Sequence, residues 1–195
     1  MRAQRLEDRV VMVIGAGSIG PGWGNGKAAA VQAAREGAKV IAVDINGDAA
    51  RETVQIIHDE GREASPFEGD ATDSGTVQAM VEHAIATYGR LDVVHHNIGI
   101  VALGGPVELE EKDWHRVLDI NLTSAFLVCK HALPVMERQG SGVILGNRLH
   151  RGNPLHGCAL RQLQRHQGCR GAALSERRAG VRRSWHTCQL ASSRA

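Results

Sequence analysis

Residues 11–30 read VMVIGAGSIGPGWGNGKAAA, and this stretch decides the fold. An apolar run, Val10 to Ile14, breaks into glycines at 15, 17, 20, 22, 24 and 26, and an alanine-rich segment follows at once. Buried strand, tight turn and helix start, in that order, make the context that a dinucleotide-binding glycine loop requires. Glycine suits such a loop because the chain must turn sharply and a pyrophosphate must approach its backbone with no Cβ in the way. The first turn of the helix then offers unpaired N–H groups and a partial positive charge to phosphate. Gly15, Gly17, Ser18, Gly24, Asn25 and Gly26 are therefore the candidate cofactor contacts of this loop.

Downstream, Gly26 to Glu36 reads as a helix closed by Gly37, and Lys39 to Val43 as a second buried strand ending at Asp44. Asp44 stands twenty residues after Gly24, about the spacing at which an acidic side chain meets the adenosine ribose hydroxyls. A carboxylate there repels a 2′-phosphate, so NAD is expected in preference to NADP. Asp48 to Glu60 carries Ala50, Val54 and Ile57 at helical spacing and stops at Gly61. A short strand around Ala64–Phe67 leads into Asp70-Ala71-Thr72-Asp73, where Asp73 or Ser74 can cap the next helix. That helix has Val77, Met80, Val81 and Ala84 on one face.

Leu91 to His95 is the fourth strand and runs into His96-Asn97-Ile98-Gly99, with the two histidines read as packing residues rather than metal ligands. From about Glu108 one long helix is expected to carry Trp114, Val117, Asn121, Ala125 and Val128 near one face, bent or ended by Pro134. Gly142 to Leu145 opens a fifth strand. Strands alternating with helices imply an α/β fold, a Rossmann-type doubly wound parallel sheet with right-handed crossovers.

The chain of 195 residues is long enough for one domain with a substantial core. No stretch approaches membrane-spanning length and no N-terminal apolar run resembles a signal peptide, so a cytoplasmic chain without a membrane partner is expected. Charge is unevenly spread. Residues 1–147 hold 13 Lys+Arg against 20 Asp+Glu, a balance of −7, whereas residues 148–195 hold 10 Arg, no Lys and Glu176 alone on the acidic side. Three of the four cysteines also fall in that tail. A break this sharp divides the chain into 1–147, a nucleotide-binding domain, and 148–195, an arginine-rich tail expected to be disordered.

Four motifs in order give residues 1–145 a resemblance to the short-chain dehydrogenase/reductase family. Gly15…Gly24-Asn25-Gly26 resembles the family's glycine motif with a five-residue insertion, Ile19 to Trp23, and Ile14 stands where the family usually has Thr. Asp70-Ala71 resembles the pair that contacts adenine. His96-Asn97-Ile98-Gly99 resembles the Asn-Asn-Ala-Gly element beside the cofactor, which marks Asn97, Ile98 and Gly99 as contacts. Asp119-Ile120-Asn121-Leu122 resembles the helix motif whose Asn joins the catalytic proton relay, so Asn121 is the candidate catalytic residue. The resemblance implies hydride transfer between a nicotinamide and an alcohol or ketone, a strand order of 3-2-1-4-5, and a homo-oligomer paired through the helices around Asn121.

The family's remaining chemistry, a Ser and then Tyr-x-x-x-Lys, should follow the fifth strand. Here the only Tyr is Tyr88 and the last Lys is Lys130. The tail reads instead as the wrong frame of a GC-rich gene. When its possible codons are read one nucleotide further on, Trp185-His186 yields only Gly, His186 Ile or Thr, Thr187 allows Arg, Cys188 yields Val or Ala, and Gln189 Asn or Ser. Gly-Ile-Arg-Val-Asn is the phrase that family members carry after the catalytic helix. Ala179-Gly180-Val181 allows Leu-Glu-Tyr; Leu163 allows Tyr and Gln167 gives only Lys or Arg, which recovers Tyr-x-x-x-Lys; Leu149 allows Ser.

The frame is thus expected to slip near Gly146, leaving a sheet truncated after about its fifth strand, that strand an open edge, and a chain without turnover or native oligomerisation. Two other readings compete. One is a non-catalytic dinucleotide-binding remnant. The other is a basic nucleic-acid arm, which is disfavoured because no aromatic interleaving or recognition helix accompanies the arginines. Cys158, His166, Cys169 and Cys188 fit no familiar zinc spacing.

Overall fold

The computed structural model describes residues 4–146 and the backbone of one further strand, His186–Gln189. The chain alternates strands and helices: β1 (Val10–Ile14), α1 (Asn25–Arg35), β2 (Lys39–Asp44), α2 (Gly47–Asp59), β3 (Ala64–Glu68), α3 (Ser74–Tyr88), β4 (Val93–His96), α4 (Glu111–Leu118), α5 (Ser124–Gln139), β5 (Val143–Gly146) and β6 (His186–Gln189). The sheet order is β3-β2-β1-β4-β5-β6, and its first five strands are parallel. This is the doubly wound Rossmann arrangement, with β1 and β4 at its centre.

Each face of the sheet has its own core because alternate residues of a strand point to opposite faces. Val10, Met12 and Ile14 pack with Val77, Met80, Val81 and Ala84 of α3 and with Leu127, Val128, Ala132 and Met136 of α5. Val11 and Val13 face the other way, onto Ala30, Val31 and Ala34 of α1 and Val54 and Ile57 of α2. Strands buried on both faces read as continuous apolar runs, which VVMVI and KVIAV do. β3 lies at the sheet edge, pairing with β2 alone, and there it tolerates Pro66.

Caps fix the helix ends that point at the site. Asn46 Oδ1 accepts from the N–H groups of Asp48 and Ala49 to start α2, and Asp73 accepts from Thr76 to start α3. Gly37, Gly61 and Gly89 take positive φ where α1, α2 and α3 stop.

One unbroken helix from about Glu108, and its ending at Pro134, are corrected. The long helix from about Glu108 is interrupted: α4 runs to Leu118, Asp119–Thr123 form a π-helical turn, and α5 resumes at Ser124. The wider turn lets Asn121 leave the i, i+4 hydrogen-bond pattern that the stripe assumed. Pro134 lies inside α5, which continues five residues beyond it to Gln139 and ends at Gly140 with φ 71°. A Pro removes one donor from the helix ladder, and here the helix carries through that gap.

Nor is β5 an open edge. β6 pairs with it antiparallel in the register Val143↔Gln189 to Gly146↔His186. That strand departs from the expectation of a disordered tail, and the expectations for Leu149, Leu163 and Gln167 fall outside the described residues.

Candidate functional site

A cleft of about 990 Å³ opens at the C-terminal ends of β1, β2 and β4. This is where an open α/β sheet binds ligands, since the connections leaving the adjacent strands β1 and β4 pass to opposite faces and part there. Gly15, Gly17, Ser18, Gly24, Asn25 and Gly26 line one wall, Asp44, Asp70 and Ala71 a second, and Asn97, Ile98 and Gly99 a third. Of the residues that the sequence marks for this site, all but Asn121 therefore line one cavity.

Sterics explain the glycines. Gly15 has φ 78°, and a Cβ there would stand 2.7 Å from Ile98 Cγ2. A Cβ on Gly26 would lie 1.7 Å from the Gly15 carbonyl oxygen and 2.6 Å from Asn97 Nδ2. The helix α1 can only approach β1 and β4 this closely because Gly26 has no side chain. Asn97 Nδ2 donates to the same Gly15 oxygen at 3.1 Å, and the Asn97 N–H to Ile14 O at 2.9 Å, so β4 and the loop are stitched together. Gly24 caps α1 without a side-chain hydrogen bond, which leaves the first-turn N–H groups facing the cleft. Such a helix start favours an anion.

Asp44 ends β2. Its Oδ2 accepts from the Gly17 N–H at 2.8 Å and its Oδ1 from the Asn46 N–H at 3.0 Å. Asp70 Oδ1 accepts from both the N–H and the hydroxyl of Thr72 at 2.8 Å, which holds the turn after β3. Asn121 works as a clasp. Its Nδ2 donates to Ile100 O and its Oδ1 accepts from Ile100 N, both at 2.7 Å, so the π-turn grips the loop leaving β4. One amide proton and one lone pair of Asn121 stay available for another partner.

Sequence reading did not find a second clasp. His96 is buried, and its Nε2 lies 2.8 Å from Ser124 Oγ, while that hydroxyl donates to Ile120 O at 2.5 Å. β4 and the π-turn are thus joined on both sides of Asn97. Burial, with a smaller push from neighbouring His95, depresses the His96 pKa to about 4, against a weaker opposing bond to its own backbone. The folded protein therefore keeps this ring neutral where an unfolded chain protonates it below about pH 6.5. Stability should fall as pH drops from about 6.5 toward 4 and be unaffected above that window. The loss at pH 5 should be about 2 kcal/mol relative to pH 7, and His96→Asn should remove that slope. Urea unfolding of both proteins at the two pH values measures it; equal pH slopes would refute it.

Lys112, His115 and Arg116 of α4 also line the cleft, giving it a basic rim opposite Asp44 and Asp70. Among the described residues no group of three or more His, Cys, Asp or Glu side chains could hold a metal, and no helix is long and apolar enough to cross a membrane.

Comparison with known proteins agrees with this geometry. The sequence profile described as enoyl-(acyl carrier protein) reductase matches residues 20–154. An uncharacterized oxidoreductase of Thermotoga maritima is 38% identical over 140 residues, covering 72% of this chain and 53% of the relative. A 3beta-hydroxysteroid dehydrogenase of Mediterraneibacter gnavus is 33% identical over 141 residues, covering 72% and 49%. The chain spans about half the length of the curated relatives it matches.

Among solved structures, a protein described as a short-chain dehydrogenase/reductase from Burkholderia xenovorans superposes with a TM-score of 0.71 at 47% identity over 73% of this chain and 56% of that one. A 7 alpha-hydroxysteroid dehydrogenase in complex with NADH and 7-oxo glycochenodeoxycholic acid gives a TM-score of 0.67 at 32% identity over 74% and 54%. With the parallel sheet, the glycine loop and the Asn121 clasp in place, this chain belongs to the short-chain dehydrogenase/reductase family of oxidoreductases.

Proposed function

We propose that residues 4–146 form the NAD-binding half of a dehydrogenase acting on an alcohol/ketone pair, and that the chain as written binds the cofactor without turning over substrate. The observation that carries the cofactor assignment is Asp44. Its carboxylate lines the cleft at the end of β2, fixed by the Gly17 and Asn46 N–H groups. A ribose bearing free hydroxyls can donate to that carboxylate, whereas a 2′-phosphate would meet it as a like charge.

The rest of the cleft fits the same group. The uncapped start of α1 would take the phosphates, Asp70 and Ala71 the adenine, and Asn97 to Gly99 the nicotinamide end; all of them line the cleft. A bound nicotinamide dinucleotide supplies the hydride acceptor or donor. Asn121 holds Ile100, and with it the loop at the reactive end, and keeps polar capacity to order a water. No Tyr or Lys follows Leu145 in the sequence, so on this reading no residue is assigned to carry the proton at the substrate oxygen.

Calorimetric titration with each dinucleotide tests the reading. NAD should bind at least about tenfold more tightly than NADP, and Asp44→Asn should narrow the gap. Tighter binding of NADP by the parent chain would overturn the role of Asp44.

A further inference from the structure

The five-residue insertion in the glycine loop, Ile19 to Trp23, has no part in the motif's own chemistry. Its base is closed: Ser18 Oγ accepts from the Gly24 N–H at 2.7 Å and donates to Gly22 O at 3.0 Å. Beyond that base the loop stands away from the protein, since a Cβ on Gly20 or on Gly22 would meet nothing within 4 Å. Gly22, with φ 103°, and Gly20 flank Pro21, so the tip is short and stiff at its centre and free to pivot at both sides.

The side chains of this loop are apolar and wet. Ile19 is 112% exposed and Trp23 61%, and Ile45, next to Asp44, is 68% exposed. Single exposed apolar residues are ordinary. These three, however, are among only eight large apolar side chains exposed in the described residues, and Ile19 and Ile45 both line the cleft. They flank the Gly17–Asp44 hydrogen bond, Ile19 two residues past Gly17 and Ile45 one past Asp44.

We propose that residues 19–23 are a strap that folds over the adenosine half of a bound dinucleotide, with Ile19 closing toward Ile45 across the Gly17–Asp44 link. The strap is rooted beside Asp44, at the β2 side of the cleft, and away from the π-turn and Asn121 at the β4 side. Its apolar tip therefore covers adenosine, and the surface it removes from water holds the cofactor in place. This inference rests on the cofactor reading above, and its experiment separates the two.

The full chain carrying Trp114→Phe and Trp185→Phe leaves Trp23 as its single tryptophan. ADP-ribose, which lacks the nicotinamide, should shift Trp23 emission to shorter wavelength and shield it from acrylamide. Ile19→Ser should weaken NADH and ADP-ribose alike by about tenfold, mainly through faster release. Deletion of residues 19–23 should do the same while keeping the NAD-over-NADP preference. A Trp23 equally quenchable with and without ADP-ribose, or an Ile19→Ser chain that binds both ligands like its parent, would overturn the strap alone. Loss of NADH affinity without loss of ADP-ribose affinity would place the loop over the wrong half of the ligand and overturn it too. A parent chain that binds neither ligand would overturn the cofactor reading and the strap together.

Discussion

Removing one nucleotide within a codon or two of Gly146 is expected to raise dehydrogenase turnover from a negligible rate to an ordinary enzymatic one. The shifted frame allows Ser at the position of Leu149 and Tyr at that of Leu163, and it requires Lys or Arg at that of Gln167. On the proposed reading, those groups would supply a donor to the substrate oxygen and a titratable acid/base with a neighbouring cation. A positioned general acid/base contributes typically about 10²–10⁴ in rate, and a hydrogen-bond donor at the reacting oxygen about 10²–10³. Groups acting as a unit do not multiply freely, so a gain of at least about 10²–10⁴ over the chain as written is the expectation. NADH formation with a panel of secondary alcohols measures it. Phenylalanine at the position of Leu163 in the restored chain should abolish most of the gain. A restored chain that binds NAD and turns over nothing in the panel, or an unrestored chain that turns over substrate at an ordinary enzymatic rate, would refute the frame reading.

The sequence displays the fold because its strands are buried on both faces. VVMVI and KVIAV carry no alternation to confuse, and glycines with positive φ mark the helix ends at 37, 61 and 89. The cleft is legible for a related reason: six glycines within twelve residues, between an apolar strand and a helix, mark a tight turn at which α1 crosses close to β1 and β4. What stays hidden is set by tertiary partners. The π-turn at Asp119–Thr123 has no signature in a local 3.6-residue pattern, since it depends on Asn121 reaching Ile100 across twenty-one residues. His96 looks like any strand histidine until Ser124 is known to face it. β6 pairs with β5 across about forty residues, and no short-range pattern specifies that register. Lys27 is also invisible in this sense: a lysine at a helix start reads as solvated, yet it is 1% exposed and its Nζ lies 2.8 Å from Glu52 Oε1.

Asp92 is the residue whose loss should damage the fold most. It is 5% exposed and sits just before β4, where its backbone already joins three strands: its N–H donates to Val10 O and its carbonyl accepts from Val143 N. The carboxylate adds a second layer of bonds. Oδ2 accepts from the Val10 N–H at 3.0 Å and from Arg90 Nε at 2.7 Å, and Oδ1 from Arg9 at 2.9 Å and Arg90 at 2.7 Å. Burial pushes this carboxyl upward, but the Arg90 pair, the Val10 N–H and Arg9 together outweigh it and hold its pKa below the usual carboxylate range. A depressed carboxylate pKa adds stability that is present above the unfolded value near pH 4 and is lost as pH falls through the folded value. Asp92→Ala leaves a buried N–H without an acceptor and two guanidinium groups without their anion, so it should cost about 3–5 kcal/mol at pH 7. That is a large part of the roughly 5–15 kcal/mol that most domains hold. Arg9→Ala should cost less than about 1 kcal/mol, because Arg9 is half exposed and Arg90 still grips both oxygens. Because β4 ends in His96 and Asn97, a shift at Asp92 also moves the wall of the cleft, and NAD affinity should fall with stability. Urea unfolding of the two variants decides the matter. Equal small losses for both would show that the Asp92 carboxylate is a solvated surface charge and not the junction of β1, β4 and β5.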